Sequence, residues 1–270
     1  RASLGFLCGA VHLVRALHLG NVNVLLLWCV VVALEAMLEE RDITAGLLLG
    51  LTFFVKPYLL LCVVPMVVLR RTAVLGWALV AVTIGLALPL LIEGPTIGWP
   101  LNGSWVTAMR AHGDYLISAN TLRSLLSHVV GRQLPAFWDL FFIAAAGVLV
   151  TGVTWMDRQK DQGRSLILGS SVALACVPLL VVTDVQHFLL ALPLILWTLA
   201  QLFRRPSPLR AFAFTVAMLA YGTDSTDLWG PELASRLEQA GMVGWGTLLL
   251  LSTALLPHGL PHKARLSPHS

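Results

Sequence analysis

Apolar residues run in blocks along this chain, and polar residues gather in the gaps between them. Ten blocks stand out, at about 3–17, 22–38, 43–55, 57–69, 73–92, 136–155, 165–182, 188–203, 209–221 and 241–256. Many approach the ~20 residues that span a bilayer. An open segment inside lipid satisfies its own backbone hydrogen bonds only as a helix, so all ten are expected to be helical. The block at 209–221 is short for a crossing. The expected fold is all-α: a polytopic integral membrane protein of about eight to ten transmembrane or re-entrant helices, forming one membrane domain over residues 1–270.

One stretch departs from the pattern. "GLLLGLTFFVKPYLLLCVVPMVVLRR", residues 46–71, carries a lysine and a proline near the middle of an otherwise apolar run. Pro57 removes a backbone donor and disfavours helix at Lys56, so a break is expected there. The stretch reads either as one tilted crossing or as two half-helices that enter and leave by one face with Lys56-Pro57 at the turn. A lysine at mid-bilayer costs about 3 kcal/mol even on the lenient insertion scale, whereas at a hairpin tip it sits in a polar cavity. The hairpin is therefore the preferred reading.

Composition agrees with a membrane chain. The sequence is 57% hydrophobic and 12% charged with mean hydropathy +0.81, against about 25% charged residues in a soluble domain. The pI near 9.1 does not signal nucleic-acid binding, because the basic residues are scattered through short connections. Those at 70–71, 157–164 and 204–210, with the tail "HKARLSPHS", are the basic ones, and placing them in the cytoplasm satisfies the positive-inside rule. Residues 93–135, 183–187 and 222–240 then face the other side. The long connection 93–135 is expected to be an extracytoplasmic loop with an amphipathic interfacial helix, carried by Leu122, Leu125, Leu126 and Val129. Cys8, Cys29, Cys62 and Cys176 lack metal-ligand spacing and read as packing residues.

Candidate chemistry is sparse. Lys56, with apolar neighbours for about ten residues on either side, is suited to bind an anion such as a lipid phosphate; its bland alternative is a snorkelling side chain. His18, Asn21 and Asn23 stand at the mouth of the second block, as an N-cap or as donors to sugar hydroxyls. Asp184, Gln186 and His187 fall in a tight turn, where they solvate the chain or hold a substrate and pass a proton. Glu35 is expected near the cytoplasmic interface, paired with Arg41 or another basic residue and not catalytic. Asp139 heads a helix, where a carboxylate is favoured. His258, His262 and His269 read as solvated. Zinc sites, phosphate-binding glycine loops and serine-hydrolase elbows are absent from the sequence.

The order "HLGNVNVLLLW", then "ERDITAGLLLGLTFFVKPYLLLCVVPMVVLRR", resembles the GT-C glycosyltransferases that use polyprenyl-phosphate-linked mannose, glycosyltransferase family 87. The matching positions are Gly20, Asn21 and Asn23, then Ala45, Gly46, Gly50, Lys56, Pro57, Arg70 and Arg71, with Asn21 where the family usually has glutamine. Looser matches in "ANTLRSLL" and "TDVQHFLLALPLI" carry over Asn120 and His187.

The resemblance implies a hexosyltransferase moving a hexose, mannose by analogy, from a polyprenyl-phosphate donor to a lipid or glycan acceptor on the extracytoplasmic face. Lys56 would bind the donor phosphate, while Asn21, Asn23, Asn120 and His187 would line the sugar and acceptor cavity. Membrane lipids are the remaining partners. No cofactor, metal or nucleic acid is implied, and the implied location is a bacterial plasma membrane. The catalytic aspartate of such enzymes is expected in a first outer loop. The seventeen residues "RASLGFLCGAVHLVRAL" hold no acid, so that aspartate is expected upstream of Arg1, or the chain is inactive. A secondary transporter or lipid flippase, or a non-catalytic remnant, is the rival reading, since broken helices with a charge at the break also build transport sites.

Overall fold

The computed structural model describes residues 13–14, 17–18, 21–111, 119–159, 161–182 and 184–255. Most of the first apolar block, Cys8, Gly20 and the tail histidines His258, His262 and His269 lie outside them. The described residues are predominantly helical, with no strand among them. The chain is a helical membrane protein. Among the described residues four helical stretches are long and apolar enough to cross a bilayer: Thr72–Glu93, Phe137–Met156, Gln162–Leu180 and Val185–Arg204.

The first helices form a hairpin. α1 (Asn23–Leu38) turns at residues 39–41 into α2 (Asp42–Val55), and the two pack side by side. Helix α2 stops at Lys56 (φ −137°, ψ 89°), and Pro57 starts a 3-10 turn, Pro57–Cys62, that runs into α3 (Val63–Val68). Proline cannot donate to the preceding turn, so the break falls where the dipeptide requires it.

Helix α4 (Thr72–Glu93) lies against α2 in the most extensive helix–helix contact among the described residues. A methyl group at Gly46 would come within 2.6 Å of the Val74 carbonyl, and one at Gly50 within 2.6 Å of Ala81 Cβ. One at Gly85 would meet the Phe54 ring at 2.9 Å. Positions 46, 50 and 54 thus meet 74, 81 and 85 in the same chain direction, so α2 and α4 are parallel. Small residues let the two backbones approach this closely. Parallel neighbours joined by residues 56–71 require that segment to return to the starting end, so the chain doubles back at Lys56. At about 1.5 Å per residue, the 14 residues of α2 rise about 21 Å, short of the ~30 Å hydrocarbon core.

Both turns at the far end close alike. Arg41 N donates to Ala36 O at 2.8 Å and Arg71 N to Met66 O at 2.9 Å, with Glu40 (φ 58°) and Arg70 (φ 57°) left-handed. These are Schellman closures of α1 and α3. Arg41 pairs with Glu39 at 2.6 Å, and the exposed Glu35 is not its partner. The expected Glu35–Arg41 pair gives way to the acid in the same turn.

Residues 93–135 contain more helix than the sequence pattern suggests. Gly94 (φ 74°) reverses the chain, and α5 (Pro95–Ala111) folds back on α4, where a methyl group on Gly98 would come within 2.7 Å of the Leu90 backbone. Its prolines and glycines imitate a loop, but Pro95 stands at the first helical position, where a missing N–H costs nothing. The amphipathic stretch is α6 (Leu122–Val130), capped by Thr121, whose Oγ1 accepts from Ser124 N at 3.3 Å. α7 (Phe137–Asp157) and α8 (Gln162–Leu180) form an antiparallel hairpin. A methyl group on Gly163 at the start of α8 would come within 3.0 Å of the Leu38 side chain at the end of α1. The turns holding Arg41, Arg70–Arg71 and Arg158 therefore gather at one end.

A second 3-10 turn, Val185–Ala191, leads into α9 (Leu192–Arg204). α10 (Pro208–Tyr221), α11 (Thr226–Gln239) and α12 (Met242–Leu255) complete the described chain. The core runs through α1, α2, α8 and α9, and α8 is buried along nearly its whole length. Cys29, Cys62 and Cys176 are free, buried thiols within it.

Candidate functional site

Three chain reversals meet at the end of the bundle opposite the arginine-bearing turns. α1 begins there, α2 breaks there, and α8 passes there into the second 3-10 turn. Each delivers one polar side chain. Lys56 Nζ donates to Asn23 Oδ1 at 2.7 Å and lies 2.7 Å from His187 Nε2. An ammonium has only donors, so Nε2 must accept, and the imidazole is neutral. Its proton is then on Nδ1, which faces the Asp184 carbonyl at 3.2 Å. Asp184 orients His187 through its backbone, whose carbonyl also accepts from His187 N at 2.9 Å.

A second layer fixes Asn23. Asn21 Oδ1 accepts from Asn23 N at 3.1 Å, and Asn21 Nδ2 donates to Gln186 Oε1 at 2.8 Å. The amide pair at 21 and 23 thus ties the head of α1 to the 3-10 turn that carries His187. Asn23 and His187 are each 1% exposed, and Lys56 is partly buried. Tyr58, one residue beyond the break, sets its ring edge-on to His187 with centroids 5.7 Å apart, and Lys56 Nζ lies 5.6 Å from its centroid. Two buried polar atoms of this group, Asn23 Nδ2 and Tyr58 Oη, have no hydrogen-bond partner among the described residues. A buried donor without a partner costs about 1–3 kcal/mol, and both atoms stand beside the Lys56 ammonium.

The structure thus joins Lys56, Asn21, Asn23 and His187. Asn120 has a different partner: its Oδ1 accepts from Gly244 N at 2.9 Å, at the head of α12. There Gly241 and Gly244 let α12 sit directly on the backbone of Ala119 and Asn120. His18 is exposed and lines a groove with Asp224, Asp227 and Glu238 instead of joining Lys56. Sequence patterning missed Tyr58. The available signal was its place immediately after Lys56-Pro57, where a 3-10 turn returns it towards the lysine. Among the described residues no group of three His, Cys, Asp or Glu could hold a metal ion.

Fold and site together define a polytopic helical membrane protein that presents a half-buried cation at a helix break. The model of glycosyltransferase family 87 matches residues 2–183, a span that includes Asn21, Asn23 and Lys56 and ends just before the second 3-10 turn and His187, and the chain belongs to that family. Neither the curated proteins nor the solved structures contain a match to it.

Proposed function

We propose that this glycosyltransferase-family chain moves a hexose, mannose by family analogy, from a polyprenyl-phosphate donor to a hydroxyl of a lipid or glycan on the extracytoplasmic face of the membrane. The observation that carries the reading is the Lys56 ammonium, held 2.7 Å from both Asn23 Oδ1 and His187 Nε2. Its location at the end remote from the arginine-bearing turns supports the outer side, since basic turns favour the cytoplasm.

In the transfer, the bond between the sugar anomeric carbon and the phosphate oxygen breaks as the acceptor oxygen bonds to that carbon. The acceptor proton passes to a carboxylate base, the role family resemblance gives to an aspartate. Negative charge grows on the departing lipid phosphate. A fixed ammonium in a site screened from water stabilises that charge without having to reorient. Asn23 and His187 take two of the three ammonium protons as hydrogen bonds, which leaves the third for a phosphate oxygen. Asn23 Nδ2 and Tyr58 Oη are the remaining donors for sugar or phosphate oxygens.

The test is Lys56→Ala in the full-length protein, assayed in membranes with polyprenyl-phosphate mannose. Loss of one preorganised donor to a developing oxyanion lowers turnover by about 100- to 1000-fold. Undiminished transfer removes Lys56 from the reaction. A donor that supports no transfer by the unaltered protein, while another lipid-phosphate sugar does, corrects the sugar.

A further inference from the structure

A second polar cavity, open to the surface, lies between α6 and the loop that follows it, and shares no lining residue with the Lys56 group. It encloses about 560 Å³ and is lined chiefly by Arg123, Ser124, His128, Arg132 and Gln133. The walls are built by the end of a helix. Gly131 (φ 72°) closes α6 in the left-handed conformation, and Arg132 N turns back to Ser127 O at 3.2 Å. Ser127 Oγ then accepts from Leu134 N at 3.0 Å, which holds the strand of chain bearing Arg132 and Gln133 against the helix.

One of its two arginines has an acidic neighbour and the other does not. Arg123 Nε reaches Asp139 Oδ1 at 3.4 Å, and the Arg132 guanidinium has no ion-pair partner among the described residues. No acid lines the cavity itself. Position in the fold supplies the context. Asp139 is on the first turn of α7, a helix long and apolar enough to span a bilayer, and Phe137, Leu140 and Phe141 on that turn are exposed. Val129 and Val130 at the end of α6 are exposed as well. A basic, hydrogen-bonding cavity thus opens within a turn of the end of a spanning helix, flanked by apolar side chains. That is the depth of lipid headgroups.

From these features we infer that the Arg123–Arg132 cavity binds a phosphoryl group at the membrane surface, the phosphate of an anionic lipid headgroup. The paired arginines offer planar N–H donors matched to phosphate oxygens. His128 and Gln133 offer further polar contacts, and Val129, Val130 and Phe141 face the acyl chains. An anionic lipid is preferred to a zwitterionic one because its net charge is not cancelled by a choline.

The experiment measures lipid retention by native mass spectrometry. Full-length protein in detergent is titrated with phosphatidylglycerol or with phosphatidylcholine of the same chain length, and separately with inorganic phosphate in competition. Phosphatidylglycerol is expected to be retained several-fold more than phosphatidylcholine. Arg132→Gln should lower that retention about fivefold, the effect of one basic residue at an anionic surface, whereas Arg71→Gln, on the arginine-bearing end, should leave the Arg132-dependent part intact. Arg123→Gln is the second variant should the first prove unstable. Competition by inorganic phosphate without a preference for phosphatidylglycerol identifies a soluble phosphoryl ligand in the same cavity and supports the phosphoryl chemistry. Equal retention of both lipids with no phosphate competition overturns the proposal. So does a phosphatidylglycerol preference unchanged in both arginine variants.

Discussion

Asn23 and Lys56 are 33 residues apart in sequence, yet Asn23 Oδ1 and Lys56 Nζ meet at 2.7 Å. The contact exists because α1 and α2 are antiparallel, which brings the start of one beside the end of the other. Asn23 is therefore less an N-cap than the acceptor for a cation that the helix break would otherwise leave short of a partner.

Replacing that acceptor should expose the dependence. Asn23→Leu keeps the forked heavy-atom outline but removes a hydrogen bond to a charged group, a loss of about 1.5–3 kcal/mol. Thermal unfolding in detergent is expected to show a clear drop in Tm. Lys56→Met in the same chain should recover part of it, because no cation then remains unsatisfied. A double-mutant cycle reads the coupling directly, and strictly additive losses would show that the two side chains do not support each other.

How far the sequence reveals this arrangement depends on the range of the interaction. The break at Lys56 is local: a lysine before a proline in an apolar run specifies it without reference to the rest of the chain. The helical character of α1, α4, α7 and α8 is equally local, set by run length and apolarity. The Lys56–His187 contact spans 131 residues; each residue stands out locally, as a charge in an apolar run and as a polar side chain in a tight turn, but no spacing rule pairs them. Residues 95–111 failed the other way. Their Pro and Gly content imitates a loop, and the helix forms because Gly94 (φ 74°) reverses the chain and Gly98 lets it lie close against α4. Asn120 carries a polar side chain in the expected loop, but its bond to Gly244 crosses 124 residues of chain and could not be read from either segment.

The α2–α4 contact makes a sharp structural prediction. Gly50→Leu places a side chain where Ala78 and Ala81 already stand, and Ala78 is 4% exposed. Overpacking of this kind costs about 1–3 kcal/mol or more, and it should lower both the folded yield and Tm. Gly147→Ala, on α7 where nothing lies within 4 Å of the added carbon, is the matched control. That substitution should be neutral or raise stability by about 0.5–1 kcal/mol through helix propensity. Equal behaviour of the two variants in fluorescence-detected size exclusion would contradict the parallel packing, and with it the doubling back at Lys56.

Asn120 separates a structural role from a functional one. Its side-chain carbonyl accepts from the backbone of Gly244 near the start of α12, as a capping group does. Asn120→Ala should therefore cost about 1 kcal/mol of stability, seen as a lower Tm, while kcat and KM for sugar transfer stay within about twofold. A selective rise in KM without loss of Tm would instead return Asn120 to the substrate cavity.

Tyr58 gives the cleanest separation, because its hydroxyl is buried and has no hydrogen-bond partner among the described residues. Tyr58→Phe removes only that oxygen and keeps the edge-on ring contact with His187 at 5.7 Å. In the empty protein the hydroxyl is a burden, since a buried polar group without a partner costs about 1–3 kcal/mol. The variant should therefore unfold at the same temperature or a higher one. If the hydroxyl meets a sugar or phosphate oxygen during transfer, kcat/KM falls by about tenfold, the worth of one hydrogen bond near 1.4 kcal/mol. Stability preserved together with transfer lost is the signature of a group held for the ligand. Stability raised with transfer unchanged would show that the oxygen contacts nothing in the reaction, and the polar cavity would then be narrower than Lys56, Asn23 and Tyr58 together imply.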